Sequence, residues 1–383
     1  MLRFLTAGES HGPGLVTIVE GLPSGLSVDL DGLAHELARR RLGHGRGKRM
    51  NIERDELEPL GGLRFGKTLG SPVAIVVRNT EWPRWQEEMD PRQGEPKRPL
   101  TTPRPGHADL AGMQKHGSYD ARNILERASA RETAARTVAG FLAKQLLGAA
   151  GASVLSHVVS IGGIVVEDGV RPGPDDRDAV DASPVRVFDR SVEAAMMERI
   201  DRAHAERDSV GGVVEVLGFG VPAGVGSHVH WDRKLDGLLG GALMSVPAIK
   251  AVEIGDGFAS AARRGSEAHD EIDVRDGSFT RDTDRAGGIE GGVSTGQTIR
   301  ARAAMKPLST LMRPLRSADV VTKEPAAAFR ERSDVCAVPA AGVVCEQMVA
   351  WVLASEMQRV FGGDTVDEFV EAVARRRGRL EAF

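Results

Sequence analysis

The order in which strand-forming and helix-forming segments alternate constrains this chain more than any other feature. Residues 15–19 are apolar and β-branched and read as a strand, and residues 71–77 read as another. Between them, DLDGLAHELARRRL (29–42) sets Leu30, Leu33 and Leu37 at helical spacing, with Gly43 as a natural stop. Further strands are expected over 154–159, 212–217 and 298–305. Further helices are expected from about 129 to 147, and over 192–206, 231–246, 343–361 and 366–377. In ERASARETAART (126–137), Ser129 and Glu132 match a Ser-x-x-Glu capping box, which starts a helix by satisfying its free N–H groups. Strands and helices mix without the regular beat of a parallel α/β sheet, so the expected class is α+β. No internal repeat or linker divides the chain, and one domain over 1–383 is expected. Residues 80–106 interrupt this order with six prolines, two tryptophans and no periodicity. An irregular segment of that length is usually functional, or a connector.

Charge excludes some partners. Lys plus Arg number 50 and Asp plus Glu 54, a net −4, which gives no global reason to bind nucleic acid or a membrane. Any cationic function must come from a local cluster. The two cysteines, Cys336 and Cys345, form no Cys-x-x-Cys motif and are too few for a disulfide framework, so a reducing cytoplasm is expected. No secretory leader is evident, and no uncharged apolar run approaches a membrane span.

Several motif-like stretches fail on context. GFGVPA (218–223) mimics a dinucleotide-binding turn, but Pro222 lies inside it and GVGSHVH follows where a helix should begin. GHGRGK (43–48) has the wrong glycine spacing for a phosphate loop, and Arg49 replaces the needed Ser or Thr. His228 and His230 lack a third metal ligand and are expected on a strand with both rings exposed; no metal is expected.

Four cationic stretches remain. RRRLGHGRGKR (39–49) carries six cationic side chains among three glycines. It reads as a solvated helix end, a nucleic-acid contact or a site for a compact polyanion. RPGHAD (104–109) sets Arg104 three residues before His107, ERAS places Arg127 and Ser129 at an expected helix start, and RARAAMKPLST (300–310) puts Arg300, Arg302 and Lys306 on one strand face. Together they suggest a site for ligands with several negative charges. GESHG (8–12) fits a tight turn at a strand end, in which His11 either caps a neighbour or exchanges a proton with a ligand.

GESHGPGLVTIVEGLP, RRRLGHGRGKRMNIE, RPGHADLAGMQKHGSYDARNILERASARETAAR, GGVSTGQTIRARAAMKPLST and RSDVCAVPAAGVVCE resemble the successive blocks of the chorismate synthase family, in that family's order and from residue 8 to 346. The resemblance implies a β-α-β sandwich with a helical core between antiparallel sheets, and a homotetramer. It implies conversion of 5-enolpyruvylshikimate 3-phosphate to chorismate and phosphate by a 1,4-elimination. Reduced FMN is required without net redox change. The catalytic positions implied are His11, His107 and Asp334, with Ser10 and Ser129 in the supporting hydrogen-bond network. The FMN positions are Arg127, Ala128, Ser129, Pro247, Ala248, Gly291, Lys306, Pro307, Leu308, Ser309, Thr310 and Arg332. The substrate anions fall to Arg40, Arg46, Arg49, Arg104 and Arg131. The family also links the positions of Arg40 and Arg46 with NADPH, an indirect reductant, and an external flavin reductase is expected. Pro247 stands where the family more often has Asn or Gln, Gln347 where a small residue is usual, and Lys48 and Ala251 where Gly is common. Two alternatives stay open: an FMN oxidoreductase on the same scaffold, and a polyanion or RNA binder using residues 39–49.

Overall fold

The computed structural model describes residues 2–47, 55–331 and 333–383. Arg49, Lys48 and Arg332 lie outside the described residues.

The first sheet is built from β1 (Arg3–Ala7), β2 (Gly14–Glu20), β3 (Glu56–Gly61) and β4 (Val73–Arg78), in the order β1-β2-β4-β3 with every pair antiparallel. Helix α1 (Leu30–Arg41) intervenes after β2. Then come α2 (Asp109–His116), α3 (Arg122–Ala128) and α4 (Thr133–Ala149). The second sheet takes β5 (Ser153–Ile161), β6 (Ile164–Val165), β7 (Gly212–Phe219), β8 (Ile249–Ile254) and β9 (Ile299–Met305), ordered β8-β9-β7-β5-β6 and again antiparallel. Helix α5 (Glu193–Ala205) precedes β7, and α6 (Leu235–Met244) precedes β8. The chain ends in α7 (Val338–Phe361) and α8 (Val366–Glu381).

Helices α4 and α7 pack on each other between the sheets; α4 faces β1, β2 and β4, and α7 faces β5 and β7. The molecule is therefore α+β, with the expected helical layer sandwiched between antiparallel sheets. Side-chain periodicity produces this arrangement. In β9, Ile299, Ala301, Ala303 and Met305 enter the core, while Arg300 and Arg302 fall on the opposite face. Helix α7 is apolar all round and buried over nearly its whole length, as a helix enclosed on every side must be. It is long and apolar enough to cross a membrane, yet 94% of its most apolar window is buried within the fold. Gly140 lets α4 and α7 touch: a Cβ there would lie 2.7 Å from the Cα of Gln347.

One polar cluster sits in this helical layer. Glu346 of α7 is bound by Arg39 (2.9 Å), Lys144 and the Ser156 hydroxyl (2.7 Å). Gln347 donates to Glu36 at 2.6 Å, which explains an amide where a small residue is common. Burial alone would raise the Glu346 carboxyl; the cations around it hold it well below its ordinary value.

Four local expectations are corrected. Ser129 does cap a helical turn, accepting from the Arg131 N–H, but that turn is a 3-10 segment, Ala130–Glu132, before α4. Glu132 does not reach back; it binds Arg136 at 2.9 Å and Thr6, so no capping box forms there. The reciprocal box is at Thr365 and Glu368, at the start of α8. Helix α7 begins five residues earlier than expected because Pro339 occupies its first turn, where a missing N–H costs nothing. The expected helix from 231 starts as a 3-10 turn, and His228 and His230 are exposed on a loop rather than a strand.

Candidate functional site

The turn between β1 and β2 carries Ser10 and His11 into the protein, where both are buried. Glu126, near the end of α3, receives them. The backbone N–H of His11 donates to Glu126 Oε2 at 2.8 Å, and the His11 Nδ1 lies 2.8 Å from Oε1. Arg122, one turn earlier on α3, binds the same Oε1 at 2.8 Å. The Ser129 hydroxyl donates to the Ser10 hydroxyl at 3.1 Å. From the proline-rich segment, the Trp85 ring covers His11 with centroids 3.9 Å apart, and the Arg122 guanidinium lies 5.0 Å from the Trp85 centroid. Asn79 holds the turn by donating to the Gly12 carbonyl at 2.8 Å.

The far end of that segment builds the second half. His107 Nδ1 contacts Asp109 Oδ1, and Arg104 donates to Asp109 Oδ2 through Nε at 2.8 Å. Arg104 also donates to the Thr310 hydroxyl at 2.8 Å and stacks on Phe329. Lys306 donates to the Gly106 carbonyl. Gly106 has φ +77°, and a Cβ there would stand 3.3 Å from the Lys306 ammonium and 3.6 Å from Ser309, so glycine keeps this cradle open. The Lys306 N–H donates to the Ala248 carbonyl at 3.0 Å, and Ala248 sits in the left-handed region at φ +68° after Pro247. Non-glycine residues held there are strained and persist only where their surroundings fix them.

Glu331 links the halves: Arg122 binds it at 3.3 Å and Arg104 approaches it at 4.0 Å. Burial would raise the carboxyls of Glu126 and Asp109, but the histidine and arginine donors outweigh it. Glu126 is held below its ordinary value, and Asp109 is pulled down to about 2.

A third group adjoins the first through Arg131, whose N–H donates to Ser129 at 3.3 Å. Buried Asp55 lies among Arg131 (3.6 Å), Arg40 (3.9 Å) and Arg41 (3.5 Å). Arg40 also donates to Thr133. Beside them Arg46 pairs with Asp334 at 2.6 Å, and the Gly47 N–H donates to the other Asp334 oxygen at 2.7 Å. Burial lowers the Arg46 guanidinium below its ordinary value, against the pull of Asp334.

Arg127 closes the last turn of α3 rather than opening a helix, and donates to the carbonyls of Thr6 and Gly8. It lies 3.9 Å from Glu132, which holds Arg136, which in turn donates to Ser245, two residues before Pro247. Ser209 ties Leu308 to a turn whose Val210 N–H donates to Val335, next to Asp334. One contiguous region thus holds Ser10, His11, Arg40, Arg46, Arg104, His107, Arg127–Ser129, Arg131, Pro247, Ala248, Lys306–Thr310 and Asp334. Gly291 is not in it. It turns a hairpin beside the start of β9, whereas Lys306 follows the end of that seven-residue strand, roughly 20 Å away. Arg300 and Arg302 also stay out: they bind Asp256 and Glu215 on the outer sheet face, so the expectation that they share a ligand face with Lys306 fails. Glu126, Asp109, Arg122, Glu331, Asp55 and Trp85 were not anticipated; Asp109 stood two residues from His107 inside RPGHAD, whereas nothing local pairs Glu126 of ERAS with His11, 115 positions away. Among the described residues, no three His, Cys, Asp or Glu side chains are grouped to hold a metal ion.

Cations, two carboxylate-bound imidazoles and hydroxyls linked in one network of contacts suit a multiply anionic ligand whose reaction moves protons. Comparison with known proteins agrees in class. A family model described as chorismate synthase matches residues 2–358. A chorismate synthase of Leifsonia xyli subsp. xyli is 55% identical, over 100% of this chain and 96% of that protein. One from Salinispora tropica is 58% identical, over 100% and 99%. A solved structure, "Crystal Structure of Chorismate Synthase", matches with TM-score 0.80 and 38% identity, over 100% of this chain and 99% of that one.

Proposed function

Because the chain belongs to the chorismate synthase family, we propose that it is a carbon–oxygen lyase of aromatic amino-acid biosynthesis. It removes phosphate from 5-enolpyruvylshikimate 3-phosphate by 1,4-elimination and releases chorismate. Reduced FMN, when bound, supplies transient electron density to the substrate with no net redox change. The observation that carries this reading is the convergence of His11, His107, Lys306 and the arginines from five separate stretches of sequence.

The chain's residues suit that flavin. Lys306, Ser309, Thr310 and Arg127 offer charge and hydroxyls, and Gly106 leaves the cradle unfilled. Ala128, Ser129, Pro247, Ala248, Pro307 and Leu308 complete the FMN set, with Arg332 outside the described residues. Pro247 offers only backbone and ring contact. Gly291 joins from a second copy in the proposed homotetramer, since its own chain holds it too far away.

Arg40, Arg46, Arg104 and Arg131, with Arg49 outside the described residues, bind the phosphate and carboxylates of the substrate. A well-placed donor to charge growing on a leaving phosphate contributes about 3–4 kcal/mol to lowering the barrier. His11 and His107 hold the protons: one keeps the reduced flavin suitably protonated, the other assists the leaving phosphate. Asp334 supports removal of the C6 proton. Trp85 and the segment 80–106 exclude water. The flavin is reduced by an external reductase, with NADPH as an indirect source, in the cytoplasm.

The test is chorismate formation under anaerobic conditions with dithionite-reduced FMN, run beside His11→Ala, His107→Ala and Asp334→Ala. Losses of about 100-fold or more are expected for each, the scale of a missing proton-transfer group. Wild-type rates in all three would overturn the roles.

A further inference from the structure

The two histidines are held in the same way, by residues from different parts of the chain. Glu126 accepts from the His11 N–H and from Arg122, and its Oε1 lies against the His11 Nδ1, all at 2.8 Å. Asp109 accepts from Arg104 through its backbone N–H (3.1 Å), Nε (2.8 Å) and NH2 (3.1 Å), and its Oδ1 contacts the His107 Nδ1. Both carboxylates are buried. In each pair the imidazole atom facing the carboxylate is Nδ1. An ionised carboxylate surrounded by donors has no proton to give, so the proton of each bridge belongs to Nδ1. Arg104 NH2 also lies 3.1 Å from the His107 Nδ1, because guanidinium and imidazole share one Asp109 oxygen. Trp85 lies against the face of the His11 ring and resists its rotation. The pairs join end to end, as His11–Glu126–Arg122–Glu331–Arg104–Asp109–His107.

We propose that Glu126 and Asp109 are positioning residues that lock His11 and His107 as Nδ1–H tautomers, leaving Nε2 of each ring to exchange a proton with the ligand. The catalytic side of this inference rests on the functional reading above; the tautomers do not. The logic is that of any imidazole oriented by a carboxylate: the second residue takes no proton, but it decides which nitrogen works. An amide cannot replace it, since it has one acceptor oxygen where the carboxylate has two.

Nitrogen-15 NMR of histidine-labelled full-length protein reads the tautomers directly. Both rings should show a protonated Nδ1 and an unprotonated Nε2 when neutral. Either ring found as the Nε2–H form in the wild type overturns the proposal, whether or not the chain makes chorismate. Glu126→Gln should alter the ring signals of His11, and Asp109→Asn those of His107, with kcat lowered by about 10–100-fold, the range for lost outer-layer partners of histidine ligands. KM for substrate should stay within about threefold, because the lost interaction belongs to the transition state. Glu126→Asp should recover part of the rate. If Glu126 acts through His11, Glu126→Gln in a His11→Ala background should cost less than about twofold more. Full additivity there, or unchanged ring signals in the amide variants, would contradict the assignment. Wild-type protein that yields no chorismate would defeat the functional reading alone.

Discussion

Asp55 is the residue on which the anion-binding reading can be pressed hardest. Its carboxylate lies among Arg40, Arg41 and Arg131, and its side chain is buried with theirs. Asp55→Asn leaves the guanidiniums less compensated, so thermal stability should fall. Inorganic phosphate should restore more of it in the variant than in the wild type, since a ligand stabilises in proportion to its occupancy of the native state. Equal phosphate effects in both proteins would argue against an anion site there. Asp284 offers a second test at this scale. Burial raises its carboxyl to about 6, although the Gly288 N–H binds it at 2.7 Å. An unfolded aspartate titrates near about 3.9, so between about pH 4 and pH 6 the native state binds the extra proton. Stability should therefore fall as pH rises through that window and level off above it. Asp284→Asn should flatten that slope and raise the melting temperature at pH 7. At the residue scale the sequence was informative about types but not pairings. His11 and Glu126 stand 115 positions apart, and no local spacing relates them.

Among the elements, the proline-rich segment bears most on function. It follows Asn79, covers His11 with Trp85, and delivers Arg104 and, immediately after it, His107. If it closes over bound ligands, FMN plus substrate should slow its limited proteolysis several-fold; equal cutting with and without them would count against closure. The contact of α4 with α7 gives a stability test. Gly140→Ala would force a methyl to within 2.3 Å of the Gln347 side chain and 2.7 Å of its backbone. Overpacking of this kind costs about 1–3 kcal/mol or more, read as a lower denaturant midpoint with unchanged slope. The central strands were legible as apolar, β-branched runs, and the long helices as extended stretches of helix-forming and apolar residues. Edge strands were not: β3 contains Pro59 and is largely exposed, and among the described residues β8 pairs only with β9. The Ser129–Glu132 spacing misled because Glu132 is drawn away by Arg136 and Thr6, a tertiary pull that no local motif reveals.

For the whole molecule, the α+β class followed from element order and the layering from the family resemblance, but closure of the site depended on contacts between distant segments. Acid stability follows from the same contacts. Asp109, beside His107 and Arg104, and Glu215, beside His157, Arg302 and Arg171, are both pulled down to about 2 despite burial. Their folded values lie below the unfolded range, so their stabilisation is present above about pH 4 and lost as pH falls toward 2. Equilibrium unfolding should show a steep decline across that interval, and a level curve there would contradict the buried ion pairs. The proposed reaction is an elimination without net electron transfer. The most direct measurement follows flavin absorbance anaerobically while 5-enolpyruvylshikimate 3-phosphate turns over with reduced FMN. The account predicts phosphate and chorismate appearing in equal amounts over many turnovers while the flavin ends fully reduced. Flavin oxidised in proportion to product, or substrate bound without phosphate release, would contradict it.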